Sequence, residues 1–183
     1  MSDFIWSEDP SIQLKSNGKS LEYSCFGPSP DQATTILLLH EGLGCVALWR
    51  DFPAKLAKAS GFGVIAYSRA GYGQSDPADL PRPLDYMTRE AVDSLPQLIA
   101  AAGLQQIILL GHSDGASIAA IYGGSVEDHR VRGLILMAPH FFTEDMGLAS
   151  IAEAKVAYEN TDLSTRMSKY HNNPDNAFYG WND

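Results

Sequence analysis

Ile107-Ile108-Leu109-Leu110-Gly111-His112-Ser113-Asp114-Gly115 is the stretch on which the rest of the chain turns. Four apolar residues read as a buried strand, and the small residues Ala116 to Tyr122 read as a helix. Between them lies G-x-S-x-G, the five-residue turn of a nucleophile elbow. A turn this tight strains the backbone of its central residue. Glycines two before and two after it remove the Cβ atoms that would collide. Glycine and serine are common here, so the five residues alone say little, and the strand and helix on either side carry the reading. Ser113 is thereby expected at the carboxyl end of a strand, with the amide of Asp114 beside it.

Outward from the elbow, buried strands and helices alternate. A hairpin is expected from Ile12 to Leu14 and Leu21 to Phe26 around Asn17-Gly18. Thr34 to Leu39 reads as a strand buried on both faces, and Val64 to Tyr67 and Leu134 to Ala138 as further buried strands, the last becoming an exposed apolar edge where no strand lies beyond it. Helices fit Asp51 to Ser60 and, from Asp85 towards Ala102, a longer one that Pro96 should kink or divide. Beyond His140 no strand pattern appears. Gly147 to Tyr158 and Leu163 to Tyr170 read as helices, followed by an aromatic and polar tail. Alternation of this kind predicts an α/β fold, a doubly wound and mostly parallel sheet after an antiparallel start. Ligands then bind outside the carboxyl ends of the strands. Four loops meet there: His40 to Gly44, Ser68 to Ser75, the elbow, and Pro139 to Asp145.

Composition narrows the partners. With 13 basic and 22 acidic residues the net charge is −9, which argues against nucleic acid and anionic membrane. Cys25 and Cys45 are too few for a disulfide framework and lack neighbours at metal-ligand spacing. No metal and no cofactor is expected. Met1 to Pro10 has neither the basic flank nor the apolar stretch of a signal peptide, so a cytoplasmic location is expected. The Gly71-Tyr72-Gly73 triplet falls short of a dinucleotide fingerprint, because Asp76 stands in place of the third glycine.

Order, elbow and loops together resemble the α/β-hydrolase superfamily, roughly from Leu21 to Ala138. Leu38-Leu39-His40-Glu41-Gly42-Leu43-Gly44 is similar to that family's oxyanion loop, with Glu41 where a second glycine is common. The resemblance implies Ser113 as nucleophile and the amides of Gly42 and Asp114 as oxyanion donors, with Leu43 the nearest alternative to Gly42. Leu43 and His140 are candidates for substrate contact. Ser68 to Ser75 resembles the loop after the family's fourth strand, with a structural role. Aspartate at the elbow marks the dehalogenase-like and epoxide-hydrolase-like members, so Ser113 points to esterases or carbon–carbon hydrolases. An arginine four residues after the serine marks the menaquinone-biosynthesis synthases, and Ser117 stands there instead.

In family order the acid and the histidine follow two later strands that are not recognisable in this sequence. The expectation is therefore an α/β-hydrolase core at residues 1–139, lacking its last two strands, and the start of a helical cap at 140–183. His40 and His112 match structural positions of the family, and His129 reads as solvated. His140 leaves the last strand at the ligand edge. Asp145 and His171 keep the family's chain order for an acid and a base, but His171 would have to fold back over the site. Phe141, Phe142, Met146, Leu148, Phe178, Tyr179 and Trp181 imply an apolar cap and a hydrophobic ester or ketone as small-molecule substrate. Two functions follow: a serine hydrolase working through an acyl-serine, or an inert fragment or interaction module that keeps the elbow without a base.

Overall fold

A computed structural model describes residues 4–183. Six strands form one sheet in the order β1-β2-β4-β3-β5-β6. β1 (Gln13–Ser16) and β2 (Lys19–Phe26) pair antiparallel, Ser16 opposite Lys19. Between them Asn17 and Gly18 hold φ of 49° and 72°, the left-handed pair that a two-residue hairpin turn needs. β2 runs antiparallel to β4 (Gly63–Tyr67). β3 (Thr35–Leu39), β4, β5 (Ile107–His112) and β6 (Val131–Met137) are mutually parallel.

The central strand β3 explains the winding. All five of its residues are buried. Ile36 and Leu38 join Val64, Ala66 and Leu110 on one face, against Phe52 and Leu56 of α1 (Phe52–Ser60). Leu37 and Leu39 join Ile65, Tyr67 and Leu109 on the other, against Ile118 and Ala119 of α4 (Asp114–Ser125). Two faces, each covered by helices, give a run apolar at every position instead of an alternating one. Each such side chain contributes about 1.5–3 kcal/mol through burial.

The long helix expected after Asp85 is continuous but not uniform. α2 (Tyr86–Arg89) leads into a π-helical turn, Glu90–Ser94, and then into α3 (Leu95–Ala101). Pro96 lies in the first turn of α3. A proline lacks an N–H and its ring crowds the carbonyl four residues back, so the wider turn before it absorbs the misfit.

Two expectations need correction. β6 is an exposed apolar edge instead of a buried strand: Leu134, Ile135 and Met137 are 39%, 44% and 43% exposed. The strand hydrogen-bonds to β5 on one side, and among the described residues no strand lies on the other. The aromatic tail is also a helix. α5 (Asp145–Asn160) and α6 (Leu163–Met167) precede α7 (Pro174–Asn182), whose first turn is capped by the Asn173 side chain accepting from the Asn176 amide. Phe178 stacks on Tyr158 with ring centroids 3.9 Å apart, and Tyr179 and Trp181 pack edge-on to Phe178. Phe141, Phe142, Met146 and Leu148, expected in the same apolar body, are exposed.

These helices are tied to the sheet's carboxyl edge through the loop after β4. The Asn172 amide donates to the Gly73 carbonyl at 2.9 Å. The Asn176 side chain accepts from the Ala78 amide and donates to the Ala78 carbonyl. No described helix is long and apolar enough to cross a membrane.

Candidate active site

Ser113 holds φ 53° and ψ −118°, outside the regions where a residue with a side chain rests easily. What enforces this is the approach of three backbones. A Cβ on Gly111 would lie 2.2 Å from the Gly115 carbonyl oxygen, and one on Gly115 would lie 2.0 Å from that of Leu39. β5, α4 and the end of β3 can meet so closely only through glycine. The Ser113 amide donates to the Met137 carbonyl at 2.8 Å, which fastens the elbow to the end of β6. Asp114 begins α4, where a backbone N–H has no partner within the helix and points outward.

The loop after β3 is held from beneath. Buried Arg69 donates to the carbonyls of His40 (2.6 Å) and Glu41 (3.0 Å). The Arg69 amide donates to His40 Nε2 at 3.1 Å, and His40 Nδ1 donates to the Glu41 carbonyl at 2.7 Å. These partners dictate the neutral tautomer. Burial, reinforced by the Arg69 charge, holds the His40 pKa well below its ordinary value. His40 thus serves as a strut of the loop. Glu41 turns its carboxylate back over Gly44 and stands 3.8 Å from His112 Nδ1.

Gly42 and Asp114 are brought together: a Cβ on Gly42 would sit 3.2 Å from Asp114 Oδ2. That carboxylate accepts from the Tyr86 hydroxyl at 2.6 Å. Burial and then the Asp114 charge push the Tyr86 pKa upward, so the phenol stays a donor. Tyr86 and Arg69 escaped the reading of the sequence as site residues. Leu43 is half-buried and packs into the aromatic cluster of Tyr72, Tyr158 and Phe178.

Ser68 has the structural role expected of it, donating to Glu22 Oε2 and accepting from the Val46 amide. His171, one candidate base, is buried with its ring engaged elsewhere than Ser113: its Nδ1 accepts the Gly73 amide at 2.9 Å and its ring faces Tyr72. Burial lowers its pKa. Its place in the chain order does not bring it to the elbow. Asp145 lies exposed in the first turn of α5.

His140 is the histidine that reaches the elbow. Its Nε2 lies 2.9 Å from Ser113 Oγ. Ala138, at φ 49°, reverses the chain just after β6 and sends Pro139 and His140 back over α4. There the His140 amide donates to Ser117 Oγ at 2.8 Å, and that hydroxyl donates to the His140 carbonyl at 3.0 Å. Ser117 is itself buried. Its spacing of one helical turn from Ser113 was the signal in the sequence that could have marked it.

Comparison with known proteins identifies the fold family. Residues 34–178 match the model of the α/β hydrolase fold. The chain is 28% identical over 173 residues to the human serine hydrolase BPHL, covering 93% of this chain and 55% of that protein. It is 34% identical over 110 residues to a proline iminopeptidase of Lactobacillus delbrueckii subsp. bulgaricus, covering 60% of this chain and 37% of the relative. A carboxylesterase structure from the thaumarchaeon Nitrososphaera gargenis superposes with a TM-score of 0.63 at 22% identity, over 81% of this chain and 53% of the other. The α/β hydrolase MGS-M2, from a deep-sea metagenome, gives 0.66 at 18% identity, over 83% and 53%. The chain thus spans about half the length of the first of these curated relatives and of both structures. By the match of its sequence and the order of its strands, the chain belongs to the α/β hydrolase fold family.

Proposed function

We propose that this chain carries the nucleophile and oxyanion hole of a serine hydrolase acting on a hydrophobic ester or similar carbonyl compound. Ser113 attacks the carbonyl carbon, the amides of Gly42 and Asp114 receive the developing oxyanion, the alcohol departs, and water hydrolyses the acyl-serine. Preset donors matter because the charge appears only at the tetrahedral stage, where loss of one costs about 3 kcal/mol of barrier stabilisation.

One observation carries the reading: Ser113 is held in strained geometry at the first turn of α4, with an imidazole nitrogen 2.9 Å from its hydroxyl oxygen. A nucleophile within hydrogen-bond reach of a base is what acyl transfer requires. Similarity to a serine hydrolase supports the same class. In this reading residues 1–139 form the core and 140–183 begin a cap that shapes the substrate site. Cys25 and Cys45, buried and unpaired, suit a reducing compartment such as the cytoplasm.

Hydrolysis of a short-chain p-nitrophenyl ester tests the proposal. Turnover by the chain and its loss in Ser113→Ala are expected, and turnover that survives Ser113→Ala would overturn it. The exposed edge of β6 favours a second reading, an interaction module that pairs with another chain. A folded sample that is inert towards the ester and self-associates through that edge would support it.

A further inference from the structure

We propose that the cavity between the β1–β2 turn and the π-helical turn binds a small oxyanion, a carboxylate or phosphate group. The proposal stands apart from the role given to Ser113.

The cavity has a volume of about 430 Å³, within the range of small-molecule sites. β1 contributes Ser16, the loop after β4 contributes Ala70, and the π-helical turn contributes both of its ends, Glu90 and Ser94. These walls belong to the β1–β2 end of the sheet, opposite β6. Lys19, Arg69, Arg82 and Arg89 line the cavity against two carboxylates, Asp79 and Glu90. In a chain of net charge −9 this excess of cations is a local feature, and it favours an anion.

Arg69 is a donor fixed in place. It is 2% exposed, and its two Nη atoms are committed to the carbonyls of His40 and Glu41. Its Nε–H is buried and has no partner among the described residues. Ser16, 6% exposed, repeats the pattern: its hydroxyl is buried and unpaired. A buried polar group left unpaired costs stability, and here two such groups belong to the walls of one cavity. Arg82 is held beside them, donating to the Tyr72 hydroxyl and the Ala70 carbonyl. Burial raises the Glu90 pKa against the pull of Arg69 and Arg82, so its carboxyl opposes an anion less than a solvated one does. Arg89 stands in solvent, with Nε on Asp85 at 2.8 Å. An oxyanion in this cavity accepts from Arg69 and Ser16, and Arg89 adds charge from the solvent side. Bonds of this charge-assisted kind are the strong ones.

The test is thermal unfolding and calorimetric titration of the 183-residue chain with inorganic phosphate and, separately, with acetate, at constant ionic strength held by chloride. At least one of the two anions should raise Tm saturably, and the one that binds more tightly names the group the cavity prefers. Ser16→Ala should weaken that anion about 10-fold without lowering Tm in its absence. Arg89→Gln, a change at an exposed side chain, should weaken it about 3-fold, and it decides the matter alone if Ser16→Ala does not fold. Ser113→Ala should bind as the parent does, so failure of the anion site and failure of the proposed hydrolase are read separately. No saturable rise with either anion overturns the proposal. An equal rise with glycerol, or affinity unchanged in Ser16→Ala and Arg89→Gln alike, also overturns it.

Discussion

The indole of Trp181, near the end of α7, lies against the α-carbon of Gly42 in the loop after β3. A Cβ built on Gly42 would fall 2.2 Å from Trp181 Nε1 and 2.3 Å from Cδ1. The carboxyl-terminal helix and the proposed oxyanion donor are thus in direct contact. Gly42→Ala should force the loop or the indole to move, at a cost of about 1–3 kcal/mol from overpacking. Ester hydrolysis should fall at least 10-fold, about 1.4 kcal/mol of barrier. The double variant Gly42→Ala/Trp181→Leu should recover most of the stability in urea unfolding. If it does not, the contact is not what excludes the methyl group.

The backbone of Ser113 stores strain that its side chain justifies. At φ 53° and ψ −118°, a residue with a Cβ costs on the order of 1–3 kcal/mol relative to glycine. Ser113→Gly should therefore raise stability by about 1 kcal/mol while abolishing ester turnover. Thermal unfolding and the ester assay read both effects, and a variant that is less stable than the parent contradicts the strain argument.

Two glycines of α4 should respond in opposite directions. Gly115→Ala places a methyl group 2.0 Å from the Leu39 carbonyl oxygen, a backbone atom that cannot rotate away. The expected loss is about 3 kcal/mol or more, or failure to fold. Gly124 meets nothing within 4 Å, and Gly124→Ala should stabilise the helix by about 0.5–1 kcal/mol. Urea midpoints of the two variants check the contrast.

Acid should destabilise the fold through its buried histidines. His40 and His171 are both held below the ordinary imidazole value of 6.5, by burial first and, for His40, next by the Arg69 charge. The unfolded chain binds these protons more readily than the folded one. The stability they contribute is therefore fully present above pH 6.5 and is lost as pH falls towards the folded values. Each can add up to about 1.4 kcal/mol per pH unit to the slope. Urea unfolding between about pH 7.5 and about pH 5.5 should show the decline, and His171→Asn should make it shallower. An unchanged slope in that variant removes His171 from the account.

Much of this fold could be read where local chemistry leaves few alternatives. Asn17-Gly18 admits one kind of turn, the apolar runs of β3 to β5 need cover on both faces, and Gly111 and Gly115 frame a serine that no ordinary turn would strain. β6 shows where composition and surroundings part. Val131–Met137 has the composition of a buried strand, but burial depends on neighbours that its own residues do not encode. α7 is not evident in Pro174–Asn182 itself, where two asparagines, Gly180 and three aromatic residues give weak helix preference, and its helix draws on Asn173, Pro174 and the Phe178–Tyr158 stack.

The approach of His140 to Ser113 was the hardest feature to foresee. It depends on a left-handed alanine, which sequence preference disfavours, and on the hydroxyl of Ser117, whose role shows only once the chain has folded back over α4. His171 illustrates the converse. Its rank in the chain suited a base, but its ring fills the space between Tyr72 and the Gly73 amide.

Ser113, the N-cap of α4, and Ser117 are four residues apart, about 6 Å along the helix axis. The Ser113 hydroxyl and the anchor of His140 are therefore borne on a single rigid rod. When the sheet flexes or α4 shifts as a body, both ends of the Ser113–His140 contact travel together. The alignment is carried by one turn of helix, as two marks on a ruler keep their spacing wherever the ruler is laid.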